Sequence, residues 1–214
     1  MPTETHAPSP AAHHARPTRG GGPEGNERLT AITGTILLVL FAAEGVTILR
    51  VGRLLYWHYF FGLLLIGPIC LKICSTLYRF AHYYTGDSEY VRKGPPHPLL
   101  RVLGPLVMLS TIAVMGTGIA LGLLKQSENL FGFSLLFLHK ASFIVWAGAM
   151  TIHVLAYLWR LPRLVGADLK PTRGGRAAVA VGGRGLRWSL AALALGAGLI
   201  LALAGVHLSS AWHF

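Results

Sequence analysis

Residues 133–159 read FSLLFLHKASFIVWAGAMTIHVLAYLW, from Phe133 to Trp159. Lys140 is the one charged residue in the stretch and no proline interrupts it. The run exceeds the roughly 20 residues that a helix needs to cross a hydrocarbon core about 30 Å thick. It is therefore read as a membrane-spanning helix. His139 and His153 lie fourteen residues apart, close to four turns, so both imidazoles fall on one face. At about 1.5 Å per residue they are separated by roughly 21 Å along the axis. One helix thus offers a metal-ligating side chain near each membrane surface.

The rest of the chain agrees. It has 214 residues, 53% hydrophobic and 13% charged, with a mean hydropathy of +0.53, far too apolar for a soluble domain of this size. Five stretches are long enough to span: Leu29 to Leu49, Leu54 to Tyr78, Leu99 to Leu124, Phe133 to Trp159 and Leu186 to Leu208. Backbone amides in lipid must be satisfied internally, and nothing here alternates like a barrel strand. The predicted fold is an all-α integral membrane helical bundle without strands, with a four-helix core over 29–165. A Gly/Arg-rich linker over 166–185 makes the fifth span, within 186–214, an appendage to that core. Residues 1–28, rich in Pro, Gly, Ala and His, read as a disordered tail in which His6, His13 and His14 are solvated. The first span is read as a retained helix rather than a cleaved signal, since its apolar run is too long and Phe41, Ala42 and Ala43 make a poor cleavage site.

The net charge of +11 follows loop parity. Arg16, Arg19 and Arg28 precede the first span, while Arg79, Arg92, Lys93 and Arg101 lie between the second and third. Seven more lie between the fourth and fifth, from Arg160 to Arg187. The opposite side has Arg50, Arg53, Lys125 and Lys140. The positive-inside rule predicts a protein of the cytoplasmic membrane with its N-terminus inside and its C-terminus outside. A nucleic-acid surface is excluded because the excess forms no single cluster. Cys70 and Cys74 sit one turn apart without a second pair or a Cys-x-x-Cys-His motif, and are expected to pack as small hydrophobes.

In this topology spans two and four run parallel, so equal offsets from their starts mean equal depths. His58 follows Tyr56 and Trp57, and His139 follows the aromatic run from Phe131 to Phe137. Both lie about one turn inside the outer interface. Two imidazoles at one depth on neighbouring helices are the axial ligand set of an electron-transfer haem, which leaves no open coordination position. The alternative is a pair of interfacial histidines bonded to backbone or water. Fourteen residues beyond His58 stands Lys72, the depth-matched mate of His153. Lys72 has three readings: neutral-amine ligand to an inner haem, counter-ion to a propionate, or a side chain snorkelling to the surface. His82 is too far along the helix to match His153, and His97 belongs to a loop. Glu44, His207 and His213 are candidates for flanking an outer quinone or proton site. Gly62, one turn after His58, leaves room for a flat macrocycle, although small residues also serve plain helix packing, as do Gly67, Gly104, Gly116, Gly118, Gly122 and Gly148.

On these residues the chain resembles the membrane cytochrome b superfamily, above all the di-haem b-type subunits of formate dehydrogenases and nickel-iron hydrogenases and their actinobacterial relatives. The resemblance rests on Trp57-His58-Tyr59-Phe60-Phe61-Gly62, on the loop from Tyr78-Arg79 through Tyr83-Tyr84-Thr85-Gly86 to Gly94-Pro95-Pro96, and on Leu138-His139-Lys140 through His153-Val154-Leu155. It covers roughly 29–165. It implies that His139 and His153 each serve one haem b and that His58 completes the outer one. The family's remaining inner ligand comes from the start of the first helix, where residues 26–33 here contain no histidine. An inner haem is then absent, five-coordinate or completed by Lys72. The resemblance further implies electron transfer between a quinone pool and an extracytoplasmic redox protein. No nicotinamide, flavin or molybdenum module is apparent, so the chain reads as an electron-transfer subunit of an oxidoreductase rather than a complete enzyme. Two alternatives remain: a cofactor-free transporter or scaffold, and a haem-containing reductase of an outside substrate.

Overall fold

The structure, a computed structural model, describes residues 21–94, 98–124, 129–169 and 181–211. In chain order the elements are α1 (Gly22–Ile48), α2 (Val51–Tyr84), α3 (Ser88–Lys93), α4 (Pro98–Leu123), β1 (Asn129–Leu130), β2 (Phe133–Ser134), α5 (Leu135–Tyr157), α6 (Leu161–Leu169) and α7 (Arg184–Gly205). Short 3-10 turns, Leu158–Arg160 and Val206–Ala211, follow α5 and α7. Five helices are long and apolar enough to cross a membrane, at the five places the apolar runs predict. The protein is an all-α helical bundle of the multi-pass membrane type.

Three expectations are corrected. The first helix begins at Gly22 rather than Leu29, because its polar opening turns have partners. Pro23 and Glu24 suit a helix start, Asn26 Nδ2 donates to the Ser75 carbonyl at 3.0 Å, and Glu27 accepts from Lys93 at 2.5 Å and from Arg160 at 3.2 Å. The earlier part of the predicted tail, 1–20, lies outside the described residues. Next, a minimal antiparallel pair exists: β1 and β2 flank Phe131 and Gly132, whose φ values of 55° and 81° are those of a tight hairpin turn. The chain is thus not wholly strand-free.

The third correction concerns the fifth span, which is central rather than appended. α7 packs along α2 and reaches α1, while residues 166–169 of the predicted linker belong to the helix Leu161–Leu169; 170–180 lie outside the described residues. Backbone chemistry explains the fit. Pro68 lacks the N–H that would bond the Leu64 carbonyl, and a Cβ added to Gly198 of α7 would run into that carbonyl. Reciprocally, a Cβ on Gly67 would collide with the Ala194 carbonyl and lie 2.9 Å from the Gly198 nitrogen. Two glycines therefore let the helices cross at backbone contact, where Cα–H groups meet carbonyl oxygens.

α4 and α5 pack along each other as a second unit, which approaches α1, α2 and α7 mainly through side chains. Leu37, Leu65 and Ile69 form the buried centre, with Phe41 and Met115 packed against it. Cys70 and Cys74 face outward as free thiols rather than filling this core. Beyond α2, Asp87 caps α3 by accepting from the Glu89 N–H at 3.1 Å and from His82 Nδ1 at 2.9 Å. The His82 bond holds the Asp87 carboxyl below its usual range, and burial pushes the Tyr90 hydroxyl up to about 12.

Gly67→Val and Gly198→Val should each lower the thermal midpoint of detergent-solubilised protein, at a cost of about 1–3 kcal/mol for overpacking. Gly45→Ala, whose Cβ meets nothing within 4 Å, is the matched control and should leave the midpoint in place.

Candidate cofactor site

The parallel register of α2 and α5 brings the expected pairs to two levels. At the α1–α2 turn end, His58 and His139 face each other with ring centroids 6.3 Å apart and planes at 71°. Two imidazoles bound to one metal at about 2.0–2.1 Å per nitrogen have ring centres roughly 6 Å apart. The observed spacing fits a shared metal.

Hydrogen bonds assign the tautomers. His58 Nδ1 donates to Glu44 Oε1 at 2.6 Å. Thr47 buttresses this carboxylate, its hydroxyl donating to the Glu44 carbonyl at 2.6 Å and lying 3.1 Å from Oε2. On the other side, Thr117 spends its proton on the Ala113 carbonyl at 2.7 Å, so its oxygen accepts from His139 Nδ1 at 3.1 Å. Ser142, 3.3 Å from Thr117, donates in turn to the His139 carbonyl at 3.0 Å. With Nδ1–H committed in both rings, Nε2 is the lone-pair nitrogen that each can give to a metal.

Small residues make the space. The His139 ring lies against Gly118, where a Cβ would come within 3.1 Å of its Cε1. A Cβ on Gly62 would find only Glu44 Oε1, at 4.0 Å, so among the described residues that side of α2 is open. Since α4 and α5 approach α2 mainly through side chains, the seam between the two units can take a planar group. The donor set and the room fit a haem held by His58 and His139.

The other level differs. Lys72 Nζ crosses to α1 and donates to the Thr30 carbonyl at 2.8 Å, approaching over the bare backbone of Gly34. His153 lies within electrostatic range of Lys72, and its ring packs on Tyr157 at 4.9 Å. This level supplies one imidazole and an amine already engaged by a backbone carbonyl, a poorer fit to a second haem. His82, in the last turn of α2, is tied to Asp87 and packs on Tyr78 with ring centroids 4.2 Å apart and planes at 44°. His207 is exposed, and His97 and His213 lie outside the described residues. Among the described residues no group of three or more His, Cys, Asp or Glu side chains gathers as for a bare metal ion. The site is a facing pair of imidazoles.

Thr47, Thr117 and Ser142 were not identified from sequence, and Glu44 was placed beside a quinone or proton site rather than under His58. One signal was available: Glu44 is an isolated carboxylate in an apolar span, and such a group needs a named partner. No family model, curated protein or solved structure matches this chain.

Histidine-selective ¹⁵N NMR on cofactor-free protein should report Nδ1–H tautomers for both His58 and His139. Thr117→Val, which removes the acceptor, should shift His139 alone toward the Nε2–H form.

Proposed function

We propose that this protein is a membrane haem b cytochrome that moves electrons between a quinone pool and a redox partner protein. The observation that carries the reading is the facing His58–His139 pair at 6.3 Å, with each Nδ1 held by a second group. Haem b, when bound, supplies one-electron redox chemistry. His58 and His139 would hold it through Nε2, and a haem held by two imidazoles suits electron transfer rather than oxygen chemistry. Glu44 and Thr117 fix the ring orientations.

The quinone part of the proposal is supported by an apolar groove of about 360 Å³, lined by Thr35, Leu38, Leu161, Pro162, Val165 and Leu169. It borders Leu161, whose side chain would be 3.9 Å from a Cβ on Gly34, the residue over which Lys72 reaches. The groove supplies the greasy slot that an isoprenoid quinone needs. The basic residues cluster toward the Lys72 end, so the reading places that end in the cytoplasm and the His58 end outside, facing an extracytoplasmic redox partner. A cofactor-free transporter is the second reading, favoured by Glu44 and Lys72, two ionisable side chains within spanning helices.

Purified protein should give a pyridine haemochrome spectrum of haem b with one haem per chain. His58→Ala and His139→Ala should each abolish it, and the double variant should lose no more than either alone. Full haem content in either variant overturns the proposal, and colourless wild-type protein favours the transporter.

For orientation, reporter fusions at Gly174 and after Phe214 should be active in the cytoplasm and outside it, respectively. The reverse pattern inverts the topology and moves the haem to the inner face.

A further inference from the structure

Three helices repeat one pattern at seven-residue intervals. α1 carries Thr30, Leu37 and Glu44; α2 carries His58, Leu65 and Lys72; α5 carries His139, Trp146 and His153. Each reads polar, apolar, polar, and the contacts show that the levels coincide. Glu44, His58 and His139 meet at one level. Thr30 and Lys72 meet at the other, with His153 within electrostatic range of Lys72. Between them, Leu37 and Leu65 belong to one buried cluster with Phe41 and Met115, and Phe41 touches Trp146 at 4.8 Å. Seven residues are about 10 Å of helix, so the polar levels stand roughly 21 Å apart with this layer midway.

Each polar level continues to its own surface. From Lys72 the chain of groups runs through His153 and Tyr157 to Arg160 and Glu27. At the other end Glu44 and Thr47 sit within a turn of the α1–α2 connection. The middle layer offers nothing to a proton. Among the described residues its polar groups are engaged, Trp146 Nε1 donating to Thr111 Oγ1 at 3.0 Å, and the Thr111 and Ser110 hydroxyls donating to the Val107 carbonyl at 2.6 and 3.2 Å. The layer also has a weak place. α1 and α5 have no close backbone packing, so the rings of Phe41 and Trp146 fill the seam between the two helix units.

We infer that the Trp146–Phe41 contact is the proton seal of the bundle, an apolar plug that separates the two polar levels from each other. The inference uses no bound haem and stands or falls apart from the proposed function. Removing the indole opens a gap in the seam that connects the two polar levels by water. Replacing it with another large ring closes the gap again.

The test uses the full chain in liposomes loaded with a pH-sensitive dye, with a potassium gradient and valinomycin driving proton entry. Wild type and Trp146→Phe should leak within about twofold of empty liposomes. Trp146→Ala should raise the proton flux at least tenfold while retaining entrapped calcein, which separates a proton path from general loosening. Leu65→Ser, which adds a hydroxyl to the same layer at smaller volume loss, is the second variant should Trp146→Ala fail to fold, and should leak in the same direction. Wild-type flux in both variants, flux matched by calcein release, or rapid proton flux through the wild type each overturns the seal. Haem content measured on the same samples reports on the cytochrome reading independently.

Discussion

Hydrocarbon offers no hydrogen-bond partner, and this decides where every polar side chain in the bundle goes. Hydroxyls that have no neighbour on another helix fold back on the preceding turn, as Thr33 does on Leu29 at 2.9 Å and Thr151 on Ala147 at 2.8 Å. The side chains that cannot satisfy themselves locally are drawn into the seams between helices: Glu44, His58, Lys72 and His139. Their seams are the interiors of the α1–α2 pair and of its approach to α4 and α5. The two polar levels follow from that confinement together with the parallel run of α2 and α5.

The spans and the His58–His139 pairing were legible because both depend on period and length, quantities that a sequence carries directly. A fourteen-residue offset repeated on two parallel helices fixes relative depth without knowledge of any contact. What was not legible depends on which helices are neighbours. Nothing local ties Glu44 to His58 or Thr117 to His139; those contacts exist because α1 packs on α2 and α4 on α5. The fifth span was misjudged for a similar reason. A Gly- and Arg-rich connection looks like a tether, yet Gly198 is the residue that meets the carbonyl left free by Pro68. That match lies between residues 130 positions apart, the difference of 198 and 68.

The two helix units are built by different physics. α2 and α7 meet at backbone contact through Gly67 and Gly198, an arrangement that leaves little freedom to slide. α5 instead meets α1 through bulky rings and faces α2 through His139, with large side chains such as Ile144 and Val145 left exposed to lipid at 70% and 55%. A site between a close-packed unit and a loosely joined one can admit a planar group without breaking the tight helix crossing. A bundle packed equally on all sides would have no such seam.

The two imidazoles are also held unequally. His58 donates to a carboxylate, His139 to a hydroxyl, and the charged acceptor makes the stronger hydrogen bond at the shorter distance, 2.6 Å against 3.1 Å. His58 is therefore the more firmly held of the two, on the helix that the glycine crossing fixes. His139 leans on Gly118, where the absence of a side chain is what lets the ring pack against the helix. The pair thus combines one imidazole held by a charged acceptor on the α2 side of the seam with one held by a hydroxyl on the α5 side.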